Sequence, residues 1–190
     1  MLNFRVFPKL LLLIGAIILI NLCSTEAAGL FYDLSEGNPG LVTPCAVHSL
    51  TDAFKLENAT NFDPDFTGQV FVSRTFKDMG CLQTPEWVEV HENFSFKALL
   101  HLPKPIPIAY PVPIFYSYLW TEQKELIPLA YHMGPVEDSW VRVQHAVPHY
   151  IAYPFKAKVE IRSDLFTAEY VAIRWFGLSD EALPPVQPWK

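Results

Sequence analysis

The sequence predicts an all-β protein built as a sandwich, and three observations support this class. Apolar residues alternate with polar ones at a period of two in several separate segments. Proline, glycine, serine and aspartate residues typical of turns separate these segments at short intervals. After the N-terminus, no window of about 11 or more residues carries a convincing helical stripe. Many short strands with frequent turns are typical of a β-sandwich.

The first 27 residues predict a cleavable secretory signal peptide. Arg5 and Lys9 precede an unbroken apolar run over Leu10–Ile20, and Thr25 and Ala27 fit the small-x-small rule for cleavage. The run is shorter than the roughly 20 residues that cross a bilayer, although an uncleaved N-terminal anchor is the alternative. We therefore expect residues 1–27 to be removed, 28–182 to form one sandwich domain and 183–190 to be an irregular tail. The expected location is extracellular or lysosomal.

The alternation places six strand predictions along the mature chain. They cover residues 53–57, 69–76, 87–100, 141–144, 156–162 and 171–175. In the third, Phe94 and Phe96 share one face, which leaves Asn93 facing solvent. Leu102–Pro113 carries five prolines, and proline cannot donate to a strand ladder, so we predict an extended edge or a surface crossing there.

Composition excludes some classes of function. The net charge is −6 at pH 7, and Lys and Arg form no cluster, so we expect no nucleic-acid partner. A length of about 160 mature residues fits one domain. Aromatic residues make up 14% of the chain, which predicts a large apolar interior or an aromatic-lined cavity.

Cysteines and sequons fit an oxidising, secretory environment. Cys23 leaves with the signal peptide, so Cys45 and Cys81 remain. We predict that they form one disulfide, worth about 3.5–4 kcal/mol in the chain-entropy model, with two free thiols as the alternative. Asn58 and Asn93 each begin an Asn-x-Ser/Thr sequon and are predicted glycosylation sites.

Signals for catalysis and metal binding are weak, so we expect no enzyme activity, no catalytic residue, no metal and no cofactor. His145 and His149 have a metal-ligand spacing, but Pro148 lies between them in a strand-and-turn context, which favours solvated histidines. Nucleophile-elbow, P-loop and dinucleotide-binding motifs are absent from the sequence. The carboxylate pair Asp63 and Asp65 is typical of a turn.

Several local patterns occur in an order found in one known family. They are Pro44-Cys45-Ala46-Val47-His48 with Phe54-Lys55-Leu56-Glu57, the loop Ile127-Pro128-Leu129 with Gly134, the crossing Val147–Pro154, and the segments Lys158–Ile161 and Val171–Ile173. Over most of residues 41–178 this order resembles the MD-2-related lipid-recognition family, which includes cholesterol carriers and mite group 2 allergens. Of the three disulfides typical of that family, only Cys45 has a counterpart here, and Ile127 stands where the family's loop has a cysteine.

The resemblance implies an immunoglobulin-like sandwich of two antiparallel sheets that holds a lipid or sterol between them, with a membrane or receptor protein as a further partner. Burial of each CH2 group of such a ligand contributes about 0.8 kcal/mol. The residues then predicted to bind the ligand are Phe54, Leu56, Val72, Phe94, Phe96, Val141, Val143, Ile151, Tyr153, Val159, Ile161, Ile173 and Trp175. These side chains would equally suit an ordinary core.

Two other functions fit the same sequence. A secreted interaction module would bind a protein or a glycan through an exposed aromatic patch, and Leu102–Trp120 is the segment where we expect such a patch. A secreted hydrolase would need a nucleophile, a base and an orienting group to converge, for example around His132 or His145.

Overall fold

The computed structural model describes residues 29–37, 45, 54–74, 80–104, 114–135, 137–164 and 168–181. Eleven strands and one short 3-10 helix, Ala59–Asn61, are present in these ranges. The strands are β1 Leu30–Asp33, β2 Phe54–Asn58, β3 Gln69–Ser73, β4 Gly80–Gln83, β5 Val88–Val90, β6 Ser95–Leu102, β7 Phe115–Thr121, β8 Leu126–His132, β9 Ser139–Ala146, β10 Phe155–Ser163 and β11 Val171–Ser179. The predicted signal peptide and C-terminal tail lie outside the described residues. Within those ranges, no helix has the length and apolar character needed to cross a membrane.

The strands form two antiparallel sheets. The first sheet has the order β2-β3-β11-β6-β9, and β1 pairs with β11 beyond the end of β3. The second sheet has the order β4-β10-β7-β8, and β5 continues the line of β4 along β10. The predicted all-β sandwich of two antiparallel sheets is confirmed.

The core lies between the sheets and is made by alternate residues of the long strands. On β6 these are Phe96, Ala98, Leu100 and Leu102, all fully buried. On β10, Ala157, Val159 and Ile161 face them from the second sheet. The alternation in residues 87–100 and 156–162 therefore indicated the correct inner face, because the side chains of a strand point alternately to its two faces.

A second apolar cluster covers the outer face of the first sheet. It contains Ala59, Phe66, Val70, Val72, Leu99, Ala172 and Trp175. The segment after β2 folds over this face, and the ring of Phe66 stacks on Trp140 with centroids 4.2 Å apart. His101 lies against Trp140 and Tyr170, and Nδ1 of His101 is 2.9 Å from the Tyr170 hydroxyl oxygen. The central strands β3, β6 and β11 of this sheet are thus buried on both faces.

The second cluster changes the placement expected for two predicted ligand-binding residues. Val72 and Trp175 lie in it, on the outer face, and not between the sheets. Val72 follows Phe71, which occupies the inner face of β3. A period of two would place Ile173 and Trp175 on the same face, but the register of β11 shifts between them, so Ile173 lies inside and Trp175 lies outside. A one-residue slip moves a side chain to the opposite face.

The disulfide predicted from the cysteine count is confirmed. Cys45 is bonded to Cys81 of β4, with their Cα atoms 5.7 Å apart. The bond connects the segment before β2 to the edge of the second sheet, and both cysteines are buried. It closes a loop across 36 positions of sequence.

Four strands were not expected from alternation, namely β1, β4, β7 and β8, and the last two lie side by side in the second sheet. The strand β8 covers residues 127–132 of the segment that the family resemblance implied to be a loop. Pro128 is tolerated because β8 is an edge strand with a register shift opposite it. The strand β7 begins directly after the proline-rich segment, of which residues 105–113 lie outside the described ranges. These two strands supply the outer surface described next.

Candidate functional site: an aromatic platform on the second sheet

Three aromatic side chains lie in a row on the outer face of β7. The strand alternates between buried and half-buried positions, so Phe115, Ser117, Leu119 and Thr121 are buried while Tyr116, Tyr118 and Trp120 point outward. The rings of Tyr116 and Tyr118 have centroids 6.4 Å apart and planes only 12° apart. With Trp87 and Tyr131 beside them, these three residues form what we call the aromatic platform.

The platform is bordered on both sides by neighbouring strands. Tyr131 of β8 pairs in register with Tyr116 and is 64% exposed. On the other side, Trp87 precedes β5 and is 43% exposed. The ammonium group of Lys158 lies 5.3 Å from the centroid of the Trp87 ring, within range for a cation–π contact. Exposed aromatic side chains grouped on one face mark an interaction surface.

Polar side chains of β10 lie along the platform in register with its rings. Lys158 pairs with Trp120, Glu160 with Tyr118 and Arg162 with Tyr116. Because residues two apart on a strand share a face, these three side chains point outward with the aromatic row. A ligand lying on the rings would therefore meet the cationic side chains of Lys158 and Arg162 at its edge.

A fixed network centres on Glu160. Its carboxylate accepts hydrogen bonds from Nε of Arg162 at 2.6 Å and from Nε2 of Gln83 at 3.1 Å, and Nη2 of Arg162 also lies 2.5 Å from Oε1. Glu160 is fully buried, so its charge requires this partner. The guanidinium carbon of Arg162 lies 4.9 Å from the centroid of the Tyr118 ring. The network holds a cation against the middle of the platform.

The disulfide completes the burial of this network. The sulfur atoms of Cys45 and Cys81 and a carboxylate oxygen of Glu160 lie within 4.8 Å of one another. Disulfide sulfurs are not thiolates, and the thiolate is the form of cysteine that ligates metals, so this group is a structural contact and not a metal site.

The platform phenols remain protonated at neutral pH. Burial raises the pKa of both Tyr116 and Tyr118; Asp164 raises that of Tyr116 further, while the Arg162 guanidinium opposes the rise at Tyr118. Each hydroxyl can therefore donate and accept one hydrogen bond.

The residues predicted to bind a lipid are distributed differently. Most pack in the core between the sheets: Phe54, Phe94, Phe96, Val143, Val159, Ile161 and Ile173 are buried there, and Val141, Ile151 and Tyr153 pack against them. Leu56 is partly exposed on the edge strand β2. Contact of any of them with a lipid stays a prediction.

A cleft of about 360 Å³ lies elsewhere, on the outer face of the first sheet. Phe31, Trp175 and Lys97 line it, together with Gly177. Nζ of Lys97 donates to the carbonyl oxygens of Ser179 and Glu181, and burial lowers the pKa of Lys97. The ammonium group is already bound by backbone carbonyls, so it offers little to a ligand.

The predicted glycosylation sites are exposed. Asn58 ends β2, and its Oδ1 accepts a hydrogen bond from the backbone N–H of Thr60 at 3.1 Å. Asn93 is exposed as predicted, but it lies in a turn that divides the predicted strand 87–100 into β5 and β6. Of the histidines, His149 is exposed in the turn after β9, 3.9 Å from Glu92, whereas His145 contacts His132 of β8.

No family model matches this chain, and no curated protein matches it. Solved structures do match. The K1 cleaved adhesin domain of Lys-gingipain from Porphyromonas gingivalis W83 aligns with 82% of this chain and 99% of that domain, at a TM-score of 0.56 and 12% identity. A variant of CBM29-2, a family 29 carbohydrate-binding module, aligns with 84% of this chain and 98% of the module, at a TM-score of 0.52 and 10% identity.

A second structure of a family 29 carbohydrate-binding module aligns with 80% of this chain and 87% of that module, at a TM-score of 0.50 and 11% identity. At these identities the likeness shows a shared fold, the two-sheet sandwich. The class of protein that fold and surface define is a β-sandwich with an exposed aromatic face.

Proposed function

We propose that this chain is a glycan-binding module that holds carbohydrate on the aromatic platform. The observation that carries the proposal is the outward row of Tyr116, Tyr118 and Trp120 in register with Arg162, Glu160 and Lys158. The function is binding, with no covalent step.

The rings suit the apolar faces of sugars. A pyranose presents C–H bonds on its faces, and these carry partial positive charge that is attracted to the negative face of an aromatic ring. Tyr116 and Tyr118 lie nearly parallel at 6.4 Å, so adjacent sugar units can each rest on a ring. Trp120 extends the row by one further ring.

The polar border suits sugar hydroxyls. A guanidinium has five N–H donors in a planar fork, and Glu160 holds that of Arg162 in place. Lys158 supplies an ammonium group above Trp87. Because these groups are fixed before a ligand arrives, little side-chain entropy is lost on binding.

The positions of the apolar side chains favour glycan binding over lipid transfer. The inner faces of the sheets are filled by buried side chains, whereas large aromatic rings are exposed on an outer face. The similarity in fold to family 29 carbohydrate-binding modules gives a precedent for carbohydrate recognition by such a sandwich. Lipid binding, which the resemblance to the MD-2-related lipid-recognition family implies, stays the competing hypothesis.

We further propose that the module works outside the cytosol. Its predicted signal peptide and its disulfide both fit an oxidising, secretory compartment. N-terminal sequencing of the protein recovered from culture medium should begin near Ala28. A chain retained in cells with Met1 intact would contradict this part of the proposal.

Binding can be tested by affinity electrophoresis through gels containing soluble polysaccharides, followed by calorimetry on any that retard the protein. We expect Tyr118→Ala and Trp120→Ala each to weaken binding about tenfold or more, as for central aromatic anchors. Phe31→Ala is the matched control, because Phe31 is a partly exposed ring on the outer face of the other sheet. Full affinity in both platform variants would overturn the proposal, as would failure of every glycan tested to bind.

A further inference from the structure

The two sheets approach each other at a pair of histidines on their free edges. The strand β8 is an edge of the second sheet, and β9 is an edge of the first. His132 pairs in register with Phe115, and His145 with Phe96. Since both phenylalanines point into the core, both imidazoles also point inward, and they meet across the gap.

The contact joins the two ring nitrogens best placed to share a ligand. Nε2 of His132 lies 3.1 Å from Nε2 of His145, and the rings are inclined at 68° with centroids 5.3 Å apart. Each ring is held on a paired strand, and each is only half-buried. The nitrogens are thus positioned by both sheets and remain within reach of solvent.

The separation of the two nitrogens matches the distance between two ligand atoms bound to one metal ion. Zinc–imidazole bonds are about 2.0–2.1 Å long, so two such ligands stand roughly 3.3–3.4 Å apart at a tetrahedral angle and about 2.9 Å apart at a right angle. The observed 3.1 Å falls between these values. Small ring rotations would bring both lone pairs onto one ion.

We propose that His132 and His145 form a binding site for a borderline divalent cation of the zinc type, which would link the two sheets at their free edges. Imidazole ligands suit Zn²⁺, Cu²⁺ and Ni²⁺, whereas Ca²⁺ and Mg²⁺ prefer oxygen. Two protein ligands leave coordination positions for water or for a donor from a bound molecule. The site lies between the sheets and not on the platform, so it does not depend on the proposed glycan function.

The test uses the full mature protein without an affinity tag and ZnCl2 as the probe. Native mass spectrometry should show one zinc per chain, and the melting temperature should rise with zinc but not with MgCl2. His132→Gln and His145→Gln should each abolish both effects. His149→Gln is the matched control, because its ring is exposed in the turn after β9, and it should bind zinc as the parent does. Trp120→Ala should also bind zinc normally, which separates this site from the platform.

A second measurement avoids the risk that a variant fails to fold. Diethylpyrocarbonate modifies accessible imidazoles, and the modified positions can be mapped by peptide mass spectrometry in the parent protein. Zinc should protect His132 and His145 and leave His149 reactive. Equal modification of His132 and His145 with and without zinc would overturn the proposal and leave only a hydrogen bond between two imidazoles. Zinc binding that persists in both glutamine variants would also overturn it.

Discussion

The buried carboxylate of Glu160 provides a sharp test of how the platform is built. Two Glu–Arg pairs among the described residues each use Nε and Nη2 of the arginine, and they differ in burial. Glu160 is fully buried, and the side chain of Arg162 is 13% exposed. In the other pair, Glu57 accepts from Nε and Nη2 of Arg74 at 2.8 Å each, and their side chains are 24% and 50% exposed.

Replacing each glutamate by alanine should reduce the free energy of unfolding by different amounts, because the two pairs differ in burial. Glu160→Ala leaves a largely buried guanidinium without its partner and frees Gln83, so we expect a loss of about 3–5 kcal/mol in the free energy of unfolding. Glu57→Ala removes a solvent-screened pair and should cost no more than about 1 kcal/mol. Both variants remove the carboxylate partner of an arginine, and they differ in burial and in the hydrogen bond that Gln83 donates to Glu160.

Urea unfolding followed by tryptophan fluorescence measures both values. The double variant Glu160→Ala with Arg162→Ala should recover part of the loss, because it removes the unpaired cation. Equal losses for Glu160→Ala and Glu57→Ala would refute the reasoning, since burial would then have no influence. A loss below about 1 kcal/mol at Glu160 would do the same.

Three further predictions concern the rest of the molecule. Replacing Cys45 and Cys81 by alanine should lower the free energy of unfolding by about 3.8 kcal/mol, from a closed loop of about 36 residues in the chain-entropy model; unchanged urea midpoints would contradict this. Burial lowers the pKa of His101 in the folded protein, so the unfolded chain binds a proton at a higher pH and the free energy of unfolding should decrease as the pH drops below about 6.5. In His101→Gln this free energy should change less between pH 7.5 and 5, and the same slope in both proteins would show that His101 does not contribute. Asn58→Gln and Asn93→Gln should each remove one glycan from the protein secreted by eukaryotic cells, seen as a mass decrease, and an unchanged mass would show that sequon to be unused.

The inner strands could be predicted because their periodicity has a direct physical cause. Burial of one face of a sheet forces alternation, and Phe94, Phe96, Val159 and Ile161 all lie where that alternation indicated. The pairing of Cys45 with Cys81 followed from their being the two cysteines left after the predicted signal peptide, and the structure confirms it.

Alternation misled where a strand is buried on both faces or its register slips. Leu99 and Lys97 of β6 are as buried as their inner neighbours, because other segments cover the outer face of the first sheet. Trp175 moved to that face through the register shift in β11. Such coverage depends on segments distant in sequence, which a local pattern does not contain.

The aromatic platform likewise depends partly on local sequence and partly on tertiary structure. The sequence by itself determined a sandwich, one disulfide and an excess of aromatic residues, and it indicated Leu102–Trp120 as the place for an exposed patch. Only the tertiary structure decided that Tyr116, Tyr118 and Trp120 lie in register with Glu160 and Arg162, and that His132 meets His145 across the sheet edges. Strand order and register bring together residues that are 13 to 46 positions apart in the sequence, and both depend on the packing of the whole chain.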